Sequence, residues 1–324
     1  MIDTVAEQAP LGGLERWLVD TDVTEVMVNA GGEVWIERGG TVTRVGEMRT
    51  STLLAVVEQV LAPIGRRLDR TQPMVDARLA DGSRICAVLP PVAVDGPCLS
   101  IRRFAVRDVP LESFTTDAVA QLLRHLVDRR ANLLVSGATS SGKTTLLNSL
   151  AGCISASARV ITLEDVAELR LQHPHVLRLE TRAATPDLPE EVTLDHLVRT
   201  ALRLRPDRLV VGEVRGTEAL ALLHALATGH DGSLATVHAD GALEALHRLA
   251  GLVVQAAPSW PLVAVHRHVV QAIDVVVHLG RDVDGRRRVR EVAEVRPWFD
   301  DPGPAVRTLA VDDRVVDEPR RVRR

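Results

Sequence analysis

The stretch Gly137-Ala138-Thr139-Ser140-Ser141-Gly142-Lys143-Thr144-Thr145, GATSSGKTT, decides how the chain is read. It satisfies G-x-x-x-x-G-K-[ST] through Gly137, Gly142, Lys143 and Thr144, a pattern that needs a strand before it and a helix after it. Both flanks are present. ANLLVSG (131–137) is a short apolar strand pattern, and KTTLLNSLAGCI (143–154) spaces its leucines as a helix does. The glycines let backbone amides curl around an anion, and the new helix points its positive end at the same place. In such a loop Lys143 reaches the β- and γ-phosphates of a nucleotide, and the Thr144 hydroxyl can hold Mg²⁺. Lys143 is the single lysine among 39 Lys and Arg. A compact ammonium with three turning donors fits inside this loop better than a forked, planar guanidinium, so the arginine bias of the chain stops here.

Outward from the loop, strand and helix patterns alternate. RVITLED (159–165), HVLRLET (175–181), DRLVVGE (207–213) and SLATVHA (233–239) read as strands. Residues 115–129, TLDHLVRTALRL (193–204), TEALALLHALATG (217–229) and ALEALHRLAGLVVQ (242–255) read as helices. Apolar strands separated by helices predict an α/β domain, its mostly parallel sheet covered on both faces. A hairpin around Asp284-Gly285 joins 273–279 to 288–295, and ATPDLPEEV (184–192) is a Pro- and acid-rich loop. Upstream lie a short helix over 10–20, a meander through 24–30, 33–38 and TVTRV, and a helix over 51–65. Two extended runs around Asp81-Gly82 and a strand at CLSIRRF (98–104) follow. The expected organisation is a smaller α+β N-terminal domain over 1–104, a linker over 105–114, the α/β domain over 115–298 and a tail over 299–324. The tail's last stretch, Arg314 to Arg324, holds five arginines against Asp317 and Glu318 and reads as solvated; the alternative is a contact with anionic lipid or an acidic partner.

Composition narrows the function classes. At 324 residues two domains are expected. Aromatics are 2% with no tyrosine, so the core must be aliphatic and little is available for stacking bases. A net charge of −4 argues against a nucleic-acid partner. Cys86, Cys98 and Cys153 are odd in number, without a CxxC, and read as reduced thiols of a cytoplasmic protein. The start MIDTVAEQAPLGG lacks a signal-peptide pattern, and no apolar run approaches a membrane span, so membrane contact is expected to be peripheral, at the inner face of the cytoplasmic membrane.

Nucleotide hydrolysis needs a carboxylate to orient water and positive charge for the transition state. Ligands of open parallel sheets sit beyond the carboxyl ends of the strands. Those ends should deliver the phosphate loop after 131–136, then Glu164, Asp165 and Glu168, then Glu213 and Arg215, and finally His238.

At this point the residues resemble a family. GATSSGKTT looks like the Walker A motif of the ATPases of type II and type IV secretion and pilus assembly. ITLEDVAEL (161–169) is similar to their Asp box, RPDRLVVGEVRG (205–216) to their Walker B motif and TGHDGSLATVHA (228–239) to their His box. PMVDARLADGSR (73–84) and LSIRRF (99–104) resemble the CpaF/TadA branch, which serves tight-adherence (Flp-type) pili. The resemblance spans roughly residues 10–298. It implies a RecA-like P-loop ATPase domain, a homo-hexameric ring, ATP and Mg²⁺ as cofactors bound where neighbouring subunits complete each site, and inner-membrane platform proteins as partners. Under that resemblance Glu213 orients or deprotonates the attacking water, and Glu164 and Glu168 organise Mg²⁺ and water. His238 senses the γ-phosphate, with His230 nearby. Arg102 and Arg103 reach the nucleotide or a neighbour's phosphates, with Arg78 and Arg84 as further candidates. The cradle is Gly137, Ala138, Thr139, Ser140, Ser141, Gly142, Lys143, Thr144 and Thr145. Gly212 stands before Glu213 where many P-loop enzymes have aspartate, so Mg²⁺ must lean on Thr144 and the Asp-box acids, Glu164 first. The zinc-binding tetracysteine insert of some type II relatives is missing.

Two other readings compete with a secretion or pilus motor. A conjugation or DNA-translocation ATPase of the same fold would need a basic, aromatic-lined groove that the composition does not supply. A scaffold that binds nucleotide without turnover would have little use for Lys143, Thr144 and Glu213 together.

Overall fold

Strand alternation builds the first of two units, which divide the chain into Met1–Arg107 and Asp108–Arg324. The structure, a computed structural model, describes residues 11–79, 81–103, 109–184, 189–296 and 305–320. In unit one β1 (Val23–Val28), β2 (Glu33–Arg38), β3 (Thr41–Glu47), β4 (Met74–Arg78), β5 (Arg84–Val88) and β6 (Cys98–Arg102) form one sheet in the order β3-β2-β1-β6-β5-β4. All its pairings are antiparallel. Val26, Val28, Val34, Ile36, Ile85, Ala87, Leu99 and Ile101 recur at period two and are buried beside Leu53, Val56, Val57 and Leu61 of α2 (Thr50–Leu61). The short α1 (Glu15–Leu18) precedes β1.

Unit two carries α3 (Asp117–Asp128), β7 (Leu133–Ser136), α4 (Lys143–Ala151), β8 (Val160–Glu164), β9 (Val176–Glu180), α5 (Leu194–Ala201), β10 (Arg208–Val211), α6 (Glu218–Ala227), β11 (Leu234–Val237), α7 (Ala242–Ala256), α8 (Leu262–Ala272), β12 (Val275–Arg281), β13 (Arg287–Arg296), β14 (Ala305–Val311) and β15 (Arg314–Val315). They form a nine-stranded sheet in the order β15-β14-β13-β12-β7-β11-β10-β8-β9. From β12 to β9 every pairing is parallel, and β13, β14 and β15 extend the sheet antiparallel.

The two faces are covered by different helices. Leu134, Ile161, Leu163, Leu209, Val211, Ala235 and Val237 pack with α5 to α8. Their neighbours Leu133, Val135, Val160, Val210 and Leu234 pack with α3 and α4. Such strands must be apolar at every position, and that makes their sequence pattern continuous rather than alternating. The core is aliphatic as expected; Phe114 is the one aromatic side chain buried among the described residues.

Asn132 pins the amino ends of the strands. Its Oδ1 accepts from the amides of Gly232 (2.8 Å) and Ser233 (3.1 Å), its Nδ2 donates to the Ala272 carbonyl (2.7 Å), and its own amide donates to Asp274 Oδ2 (2.8 Å).

Two sequence expectations change, and one helix was not foreseen. Within the tail, Ala305–Val311 is β14, paired to β13, and Arg314–Val315 is β15. The run AVRTLAV is split by Arg307, whose guanidinium bonds Glu294 Oε2 (2.6 Å) and the Asp317 carboxylate, so its polar residue is structural rather than solvated. Residues 299–304 and 321–324 of that tail lie outside the described residues. Leu111 and Phe114, read as linker, are buried in unit two's core, while 104–108 lie outside the described residues, as do 185–188 of the acid-rich loop. Finally, α8 escaped the reading because His266, Arg267 and His268 interrupt its apolar spacing.

Candidate functional site

The phosphate loop leaves β7 after Ser136 and enters α4 at Lys143. Its backbone takes φ values of +158° at Gly137, +59° at Ser140 and +98° at Gly142. A Cβ on Gly137 would stand 2.5 Å from the Leu279 carbonyl oxygen, and one on Gly142 would stand 2.7 Å from Arg287 Cδ. Gly137 is therefore required by contact with the backbone of Leu279, and Gly142 by its left-handed conformation. Lys143 is buried, and its Nζ donates to the carbonyls of Gly137 (2.8 Å) and Ala138 (3.0 Å). Burial pushes its pKa down, and the charge of Arg215 adds to this; the nearby charge of Glu213 opposes it. Ala138, Thr139 and Ser140 are exposed at the loop's outer rim, and Thr144 and Thr145 are half-buried in the first turn of α4.

The strand to the far side of β10 brings Glu164. The β8–β10 register pairs Leu163 with Val211, which sets Glu164 beside Gly212. A Cβ on Gly212 would lie 3.0 Å from Glu164 Cγ. The glycine thus leaves room for a carboxylate arriving from the neighbouring strand. Glu164 is 2% exposed; its Oε1 accepts from the amides of Glu168 (2.9 Å) and Leu169 (2.8 Å), and its buried Oε2 has no hydrogen-bond partner. Burial raises its pKa to about 7, against the pull of those two amides and of Arg178. Glu168 is half-buried and adds its charge to that rise.

Glu213 leaves β10 half-buried, and its Oε2 accepts from Arg215 Nη2 at 2.5 Å. The exit of β10 is stitched to β11: Thr236 Oγ1 donates to the Gly212 carbonyl (2.6 Å) and the Val214 amide to the Thr236 carbonyl (2.8 Å). Buried Glu218 then accepts the amides of Arg215 (2.6 Å) and Gly216 (2.7 Å) and fixes the turn into α6. His238 is exposed and follows β11 directly; since Val237 pairs with Ser136, it stands level with Gly137.

His230 is a correction. It precedes β11 and lies at the amino edge of the sheet, its Nδ1 3.1 Å from the Ala225 carbonyl at the end of α6. A four-residue strand separates it from the edge that bears His238. Arg102, Arg103, Arg78 and Arg84 belong to unit one. There the Arg84 Nε donates to Asp76 Oδ1 (2.8 Å), the Arg103 guanidinium bonds the Asp20 carbonyl, and Arg102 pairs in register with Glu25 and Arg84.

Two residues at the loop were not anticipated. Arg281 Nη2 donates to the Ser140 carbonyl at 2.9 Å, and the stem of Arg287 crosses Gly142. The arginine run Arg286-Arg287-Arg288 after an Asp-Gly turn was a visible signal. What the sequence withheld was that β12 pairs with β7, which sets this hairpin against the loop.

The residues suit ATP and Mg²⁺. The cradle offers an anion site at a helix start, Thr144 supplies a hydroxyl in the first turn, and Glu164 Oε2 is a buried oxygen awaiting a partner. Among the described residues no three His, Cys, Asp or Glu side chains converge on a metal site of their own. A cation held here would therefore rely on phosphate oxygens and water for most of its ligands.

A sequence profile described as Type II/IV secretion system protein matches residues 7–309. A Mycobacterium tuberculosis relative with conjugal transfer in its name is 40% identical over 305 residues, covering 88% of this chain and 84% of the relative. The conjugal transfer protein TrbB of Rhizobium radiobacter is 36% identical over 291 residues, 87% of this chain and 86% of that protein. In fold, the chain is similar to the pilus retraction motor PilT crystallised with ADP, with a TM-score of 0.63 and 19% identity over 89% of this chain and 82% of that one. Among the described residues no helix is long and apolar enough to cross a membrane. The chain belongs to the type II/IV secretion system protein family, and the phosphate loop with its sheet-edge carboxylates makes it one of that family's ATPases.

Proposed function

We propose that this chain hydrolyses ATP as the motor of a secretion or pilus-assembly machine, working as a homo-hexameric ring against membrane-embedded partners. The observation that carries the reading is one sheet edge on which the phosphate loop, Glu164, Glu213 and His238 follow adjacent strands. Lys143 neutralises phosphate charge. Glu213 is positioned to orient or accept a proton from the attacking water, since Arg215 holds its carboxylate and the charges of both lie near Lys143. Thr144 and Glu164 would hold Mg²⁺, which when bound neutralises charge between the phosphates. His238 stands where it can report the state of the terminal phosphate. The CpaF/TadA resemblance of the motifs supports service to a tight-adherence pilus.

Steady-state turnover tests this. Lys143→Ala should abolish hydrolysis and weaken ATP binding. Wild-type rates in that variant remove the assignment. The names of the M. tuberculosis and R. radiobacter relatives favour a second reading, conjugal transfer. Strong stimulation of ATPase activity by added DNA would favour it over the pilus reading, and no response would favour the first.

A further inference from the structure

The β12–β13 hairpin meets the phosphate loop at three points that the anion-binding motif does not require. The Leu279 carbonyl oxygen stands 2.5 Å from where a Cβ on Gly137 would lie. The Arg287 stem runs over Gly142, its Cδ 2.7 Å from that residue's Cβ position. Arg281 spans two carbonyls, with Nη2 on Ser140 (2.9 Å) and Nη1 on Gly285 in the hairpin's own turn (2.9 Å). Arg281 and Arg287 are register partners across the hairpin. Ser140 is the one non-glycine residue of the loop with a left-handed φ, +59°. A serine leaves that region unless its surroundings hold it there. The guanidinium does so: a charged, forked donor fixes the Ser140 carbonyl with one arm and is itself anchored by the other.

We propose that the β12–β13 hairpin is a same-chain clamp on the phosphate loop, with Arg281 as its positioning residue. The inference rests on the nucleotide-binding reading above and adds a determinant of affinity from a distant part of the chain. Arg281 acts through Ser140, not on the reacting atoms. A loop already held as a cradle loses less freedom on binding a polyphosphate, so the clamp shows in Kd and KM while kcat is spared.

The experiment uses the full chain, a fluorescent ATP analogue, ADP and steady-state hydrolysis. Nucleotide binding by the wild type, weakened in Lys143→Ala, establishes the site; a wild type that binds no nucleotide overturns the site and the clamp together. Given the site, Arg281→Ala is expected to raise Kd for both nucleotides and KM by about tenfold, with kcat within about twofold. Arg281→Lys keeps the charge but cannot span both carbonyls, so it should stay within about threefold of Arg281→Ala. Lysine at the wild-type Kd overturns the clamp, as does an unchanged Kd in Arg281→Ala or a fall in kcat alone. In a Ser140→Gly background the left-handed conformation needs no support, and Arg281→Ala should there cost less than about threefold. The full tenfold loss in that background overturns the link through Ser140. Arg281 is exposed, so Arg281→Ala and Arg281→Lys are expected to melt with the wild type.

Discussion

At Glu164 a carboxylate is held away from water with one oxygen unmatched, and this has a cost that depends on pH. Its pKa rises from 4.5 to about 7 because burial penalises the charged form. Below the lower value the group is protonated in folded and unfolded chains alike. Between the two the folded state keeps a proton that the unfolded state has released, so stability falls as pH rises, and above about 7 the loss is complete. Glu164→Gln is therefore expected to be more stable than the wild type at pH 8, by roughly 2–3 kcal/mol, and to melt higher, with the gain shrinking toward zero near pH 4.5. Thermal melts at the two pH values check this; equal differences at both would remove the buried-charge explanation. The sequence marks the same residue as a candidate site acid, because it ends an apolar strand. Its burial is not legible there, because nothing in ITLED tells that Gly212 on the next strand makes room for it. Glu213 contrasts with it, being half-buried and paired with Arg215. Glu213→Gln should still bind ATP but turn it over about 10²–10⁴-fold more slowly if it is the general base, as single-turnover rates would show.

Between elements, the polar side chains matter more than the apolar ones suggest. Asn132 satisfies backbone groups from the approach to β11 and from the end of α8, all fully buried. Asn132→Ala would take the shared acceptor from the amides of Gly232 and Ser233, and should destabilise the chain by about 2 kcal/mol or more, measurable as a lower denaturant midpoint. The elements themselves were largely readable: β7, β8, β10, β11 and β12 announce themselves as apolar runs, while β9, carrying Arg178 and Glu180 with no helix between it and β8, shows only as a short extended stretch. β14 was not, since Arg307 and Thr308 interrupt its apolar positions and no helix pattern flanks it. The order of strands was also hidden. That β12 lies beside β7, and not at the end of the chain's sequence order, is a tertiary fact, and with it went the prospect of foreseeing Arg281 at the loop.

At the scale of the whole molecule the question is how many copies make one working site. Arg102 and Arg103 in unit one are the arginines that the family resemblance would lend to a neighbour. If they act in that way, specific ATPase activity should climb with protein concentration through the assembly range and fall in Arg103→Ala at every concentration; a flat profile would mean that each chain is self-sufficient. The division into a small antiparallel unit and a larger parallel one could be read from where strand alternation gives way to continuous apolar runs, but the reach of unit two to β15 could not.

That reach has a consequence for how the protein is made. The turn between β14 and β15 is fastened to the start of α3: Thr115 Oγ1 donates to Asp313 Oδ1 (3.0 Å) and Thr116 Oγ1 to the Asp313 carbonyl (2.8 Å). Some two hundred residues of chain separate the two halves of this fastening. A ribosome must therefore deliver β14 and its turn before the ten-residue edge of β13 is covered, and until then the nascent chain presents an open strand to its neighbours.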